Sequence, residues 1–164
     1  ELIIIAGYMN KLTYTFFTSK DITRAEQLKG KAVAISGFGT TSHAVTVLAL
    51  KKLGLVPVKE VAIVQIGDQT ARFAALQANS IQGAIITPPL TLLARNRGLN
   101  PLIDLTQAGI PWLQEVIIAN NSMLRKRRDV VKSFMKGFID GLKLWHTNKD
   151  KTTELLAKFG SGLL

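Results

Sequence analysis

Between residues 31 and 98 the chain runs three times through the same pattern of apolar run, tight turn and helical run. "KAVAI" (31–35) is rich in β-formers, "SGFGTT" (36–41) turns, and "SHAVTVLALKKLG" (42–54) keeps apolar residues at helical spacing until Gly54 ends it. "VAIVQI" (61–66), Gly67-Asp68 and "QTARFAALQA" (69–78) repeat the pattern. "IQGAIIT" (81–87), Pro88-Pro89 and "LTLLARNRG" (90–98) repeat it again, with proline breaking the strand and Gly98 closing the helix. Consecutive strand–helix units with short turns and continuously apolar strands specify an α/β fold. The sheet is expected to be mostly parallel, with helices on its faces. "PLIDL" (101–105) and "QEVIIAN" (114–120) read as two more strands, the second returning across the domain.

In such sheets ligands lie outside the carboxyl ends of the strands, where the turns into the following helices converge. This picks out residues 36–42, 67–69 and 87–89. The first turn lacks the Gly-Lys-Ser/Thr ending of a nucleoside-triphosphate loop. It also fails the dinucleotide fingerprint, because Ser42 stands at the third glycine position. Ser42 and His43 are conceivable as nucleophile and base, yet neighbours on a helix point apart and no orienting carboxylate is in view. What remains is a helix start, whose unpaired N–H groups and dipole favour a small anion. Gly37 and Gly39 let the backbone come close to a ligand, and Thr40, Thr41 and Ser42 add hydroxyls. At least one of those three is expected to serve only as the N-cap, and His43 to be a satisfied first-turn histidine. Asp68 and Gln69 suit either a ligand contact or a helix cap, and Thr87 ends a strand where a ligand would lie. Trp112 is expected to cover apolar surface. No catalytic residue, metal ligand or cofactor is assigned.

The ends of the chain differ from its middle. Val131, Phe134, Met135, Phe138, Leu142 and Trp145 share one face of a long amphipathic helix, and 150–160 reads as a shorter one with Asp150 as N-cap and Gly160 as stop. "LIIIA" and "LTYTFFT" read as strands near the start. The net charge of +10 is uneven: residues 125–164 hold 10 of the 21 lysines and arginines. The run "RKRR" (125–128) lacks interleaved aromatics, so nucleic acid is not an expected partner. Placed at a helix start it would oppose the helix dipole. The absence of cysteine excludes disulfides and thiolate chemistry.

"AEQLKGKAVAIS", "GFGTTSHAVTVLALKKLGL", "VAIVQIG…TARFAALQANSIQGAIITPP" and "GLNPLIDL" together resemble the NitT/TauT-type substrate-binding proteins of ABC importers. That group binds nitrate, taurine, alkanesulfonates or thiamine-precursor pyrimidines. The resemblance covers about residues 25 to 145 and implies a type II periplasmic-binding-protein-like clamshell. In it a small anionic or polar solute is held between two lobes and passed to a membrane permease, the binding protein being periplasmic or extracellular and membrane-associated. Residues 1–24 would be part of the first lobe and the hinge, 25–123 the second α/β lobe, and 124–164 helices returning to the first. The family's ligand contacts would fall on Gly39, Thr40 and Thr41, with Ser42 as a further candidate, and on Thr87 and its neighbours. Ser80 and Gln82 stand where relatives often carry Gly and Asp, which would remove a carboxylate from the cleft side. Relatives also have about a hundred residues before the point where this chain begins, so it reads as truncated. A dimer, or association with a missing N-terminal piece, is expected. The alternatives are a pyrimidine-precursor synthase-like enzyme on the same fold and a ligand-sensing domain.

Overall fold

The structure, a computed structural model, describes residues 1–159. Strands β1 (Leu2–Met9), β2 (Thr15–Thr18), β3 (Ala32–Ile35), β4 (Ala62–Gln65), β5 (Gly83–Ile86), β6 (Asn100–Asp104) and β7 (Glu115–Asn120) are joined by six helices. These are α1 (Thr41–Lys52), α2 (Gln69–Gln77), α3 (Leu90–Asn96), α4 (Asn121–Lys126), α5 (Arg128–Thr147) and α6 (Lys149–Phe159). Two compact units result. One is Asn10–Trp112, and the other combines Glu1–Met9 with the chain from Leu113 onward.

The Asn10–Trp112 unit is built on a five-stranded sheet in the order β4-β3-β5-β2-β6. The three strand–helix cycles supply the parallel part, with β3 between β4 and β5. The α/β class is as expected, but the sheet is parallel only there: β2 pairs antiparallel with both β5 and β6. The composition of β2 explains its interior place, since all four residues of "TFFT" are buried. Successive side chains on a strand face opposite ways. Phe16 therefore joins a core with Val33, Val45, Leu50 and Ile85, and Phe17 joins another with Ala34, Phe73, Ile86 and Ala94. Gly83 makes room for this: a Cβ there would lie 2.7 Å from Phe16 Cζ and 2.8 Å from a Val33 methyl. Pro101, which has no N–H to give, sits in the edge strand β6. Trp112 packs half-buried against the first of these cores.

In the second unit β1 pairs antiparallel with β7, and α4, α5 and α6 follow. The boundaries expected at 24/25 and 123/124 thus fall inside the units. Residues 10–24 go with the large sheet because β2 is one of its inner strands, and 113–123 go with the termini because β7 pairs with β1. The amphipathic α5 is present as expected. Asp150, expected as an N-cap, lies within the first turn of α6; the Asn148 side chain instead accepts from Lys151 N–H at 3.0 Å. Gly160 lies outside the described residues. The basic run is not at a helix start either. Arg125 and Lys126 occupy the last turn of α4, where the dipole favours cations, and of the four only Arg128 begins α5.

Candidate functional site

Strands β3, β4 and β5 run side by side, with Ile35 level with Gln65 and Ala34 level with Ala84. Their carboxyl ends therefore deliver residues 36–40, 66–68 and 87–89 to one edge of the sheet. The registers bring the three expected loops together. Gln82 immediately precedes β5, at the opposite, amino edge, where its carboxamide bonds Ala32 N–H and the Asn79 carbonyl. Its expected place on the ligand side is therefore corrected, and the missing carboxylate there says nothing about ligand charge.

The first loop is held by a knot of hydroxyls. Thr40 is the N-cap of α1: its Oγ1 accepts from His43 N–H at 3.4 Å and donates to the Gly37 carbonyl at 2.7 Å. Ser42 is buried, and its Oγ accepts from Ser36 N–H at 2.8 Å. The three hydroxyls of Ser36, Thr40 and Ser42 lie 2.7 to 3.1 Å from one another. A hydroxyl has one proton, and that of Thr40 is spent on Gly37. Thr41 is exposed, and the N–H groups at positions 41 and 42 belong to the first turn, which has no intrahelical acceptors to offer them. Gly37 is buried, and Gly39 has φ +79°, a left-handed conformation that glycine adopts without strain. Gly39 N–H donates to His43 Nδ1 at 3.2 Å, and the imidazole meets the Phe38 ring edge-on. Ser42 and His43 thus bond to different partners, not as nucleophile and base. Ser36 was not among the expected residues, because a lone serine at a strand end carries no signal until the loop folds over it.

In the second loop Asp68 is the N-cap of α2 and accepts from Ala71 N–H at 2.8 Å. Gln69 ties the second loop to the third: its Oε1 accepts from both Thr87 N–H (2.8 Å) and Thr87 Oγ1 (2.7 Å). The expected trio of Asp68, Gln69 and Thr87 is therefore brought together, with its cap and latch bonds internal to the protein.

Arg72, another residue the sequence did not single out, is 5% exposed. Its Nη1 donates to the Gly67 carbonyl at 2.5 Å, while its buried Nε has no partner. Burial pushes the guanidinium pKa down, opposed by the charge of Asp68 and by Tyr14. Among the described residues no group of three or more His, Asp or Glu is placed to hold a metal ion, and no helix is long and apolar enough to cross a membrane.

Comparison with known proteins gives a consistent result. Residues 1–152 match the family described as NMT1/THI5 like. A relative from Brachyspira hyodysenteriae, assigned as an ABC transporter periplasmic binding protein, is 29% identical over 116 residues, covering 71% of this chain and 32% of that protein. The periplasmic aliphatic sulphonate binding protein SsuA from Escherichia coli superposes with a TM-score of 0.77 at 20% identity, over 96% of this chain and 54% of that one. The alkanesulfonate-binding SsuA from Xanthomonas axonopodis pv. citri, bound to MOPS, gives 0.76 at 18% identity, over 98% and 55%. These two structures establish the fold. The chain spans about half the length of these solved structures and about a third of the curated relative.

Proposed function

Because the chain belongs to the NMT1/THI5-like family, we propose that it is a solute-binding component of an ABC importer, acting outside the cytoplasmic membrane and without catalysis of its own. The solute is a small anionic or polar organic molecule or oxyanion of the nitrate, sulfonate, taurine, bicarbonate or pyrimidine class, delivered to a membrane permease. The relatives' assignments as binding proteins support this reading. One structural observation carries it for this chain. Three turns meet at the carboxyl edge of β3, β4 and β5, and the N-termini of α1 and α2, which favour an anion, lie at that edge.

The ligand-binding residues of this reading are Gly37, Gly39, Thr40, Thr41, Ser42, Asp68, Gln69 and Thr87, with a division of labour. Thr40, Ser42, Asp68 and Gln69 hold the loops through the bonds described above. Thr41 and the early backbone N–H groups of α1 offer donors to a solute. Such a site gains affinity from a few charge-assisted hydrogen bonds in a shielded place.

Thermal unfolding of the protein with ethanesulfonate, taurine, nitrate, bicarbonate or an aminopyrimidine tests the reading. A ligand present at about 100 times its Kd stabilises by about 2.7 kcal/mol, a shift of several degrees for a unit of this size. One class should raise the melting temperature and the others should not. No shift with any of them would count against a solute-binding role.

A further inference from the structure

We infer that Arg72 is an anion-recognising residue of this edge, so that the solute presents an oxyanion headgroup, a sulfonate or carboxylate, to the turn between β4 and α2. This rests on the solute-binding reading and narrows it. Arg72 stands in the first half of α2, and its side chain folds back toward the helix N-terminus, as long helical side chains do. Its Nη1 reaches the carbonyl of Gly67, so the charged head lies beside the helix start that Asp68 caps. A helix N-terminus and a guanidinium thus act on the same place.

The guanidinium is under-satisfied. It has five N–H donors, and its one hydrogen bond among the described residues goes to a neutral carbonyl. No carboxylate among those residues lies within ion-pair distance of it. Burial lowers its pKa, the nearby Asp68 charge opposes this, and the absence of a directly bonded carboxylate makes the burial more costly. The pattern of use also matters. Nη1 is engaged, whereas Nε, on the opposite edge together with Nη2, is buried and unpaired. That edge is the one a planar or tetrahedral oxyanion grips with two parallel hydrogen bonds. Since Nε is closed off from water, the acceptor must enter as the 66–68 turn shifts.

Glu60 and Asp104, two other carboxylates of this unit, are committed elsewhere: Glu60 to Lys29 and to Val56 N–H, Asp104 to Thr106. Asp68 spends Oδ1 on its cap. The nearby charge of Asp68 acts on the guanidinium without an ion pair, and a hydrogen-bonded anion is left to the ligand.

The test is titration calorimetry on the full chain with ethanesulfonate, propionate and the neutral isostere ethyl methyl sulfone. The wild type should bind one of the two anions at least tenfold more tightly than the sulfone. Arg72→Met should abolish that preference, and Arg72→Lys should keep part of it, since charge survives but the two-pronged grip does not. A merely structural arginine would weaken all three ligands alike and leave the preference intact. Should Arg72→Met fail to fold, arginine 15Nε spectra of the wild type decide: the Nε resonance that disappears in Arg72→Lys must move on adding the bound anion. Equal binding of anions and sulfone, a preference that survives in Arg72→Met, or an unmoved Nε resonance overturns the inference while leaving solute binding in place. If none of the three probes binds, the inference falls as well, and the wider thermal panel judges the function separately.

Discussion

The two units treat the same kind of residue in opposite ways. In Asn10–Trp112, Phe16, Phe17, Val33, Val45, Leu50, Ile85 and Ile86 are fully buried; in the other unit the one buried apolar residue among those described is Ala119. Yet α5 displays as regular an apolar stripe as any element of the chain, including Phe134 at 57% and Trp145 at 54% exposure. Amphipathic spacing establishes that a helix has an apolar face. Burial depends on a second surface, and here the five-stranded sheet supplies it for α1 and α2. The candidate site follows the buried unit, because loops can hold donors in fixed positions only where the elements beneath them are packed.

The sharpest way to break this contrast is to remove one aromatic from each unit. Phe16→Ala should destabilise by about 3–5 kcal/mol, the range for emptying a packed aromatic site. Phe134→Ala should cost less than about 1 kcal/mol, as exposed positions do. Urea unfolding measures both, and comparable losses would mean that α5 is as buried in solution as the sheet. A middle-sized effect is expected at the latch. Gln69→Ala leaves the Thr87 N–H and hydroxyl without their acceptor, at about 1–3 kcal/mol, and exchange of the Thr87 amide with solvent should speed up.

The first loop gives a smaller and more pointed contrast. Thr40→Ala removes the cap of α1 and should cost about 1 kcal/mol, whereas Thr41→Ala, at an exposed position, should change stability by less than about 0.5 kcal/mol. If solute is bound here, Thr41→Ala should still weaken it. Smallest of all is the pair of exposed Lys29 and half-buried Glu60, 2.8 Å apart. Their hydrogen bond lowers the Glu60 pKa and raises that of Lys29. Glu60 thus adds stability above the ordinary carboxylate range that is lost as pH falls through its lowered pKa. Lys29 adds stability below its ordinary pKa that is lost as pH rises through its raised one. Glu60→Gln should flatten both limbs of a stability-against-pH curve slightly, and a large change would place the pair in a network that the structure does not contain.

What the sequence revealed was local. The three strand–helix cycles, the caps at Thr40 and Asp68 and the long α5 are all written in spacings of a few residues. What it concealed was pairing across distance. Nothing in "LTYTFFT" says that β2 enters antiparallel between β5 and β6, which is why the sheet is less parallel than its cycles suggest. The same holds within the site. Ser36 gains its role from a turn that brings Ser42 back upon it, Gln69 and Thr87 meet across eighteen positions, and Arg72 reads as a surface charge in "QTARFAALQ" until its side chain folds under the Gly67 turn. The basic run misled for a related reason, since the break between α4 and α5 falls inside it and turns two of its charges toward a helix end that favours them.

Solute is proposed to bind at the carboxyl edge of β3, β4 and β5. A groove of about 690 Å³ along α5, lined in part by Arg128, Lys132, Lys136 and Lys143, offers an anion a different place to bind. Backbone amide chemical shifts, followed while ethanesulfonate, propionate, nitrate and bicarbonate are titrated in turn, separate the two. At least one of these ligands should move the amides of Gly39, Thr41, Ser42, Gly67, Gln69 and Thr87 together and saturably. Shifts confined to residues 128–143, or no saturable shift with any of the four, would contradict that placement.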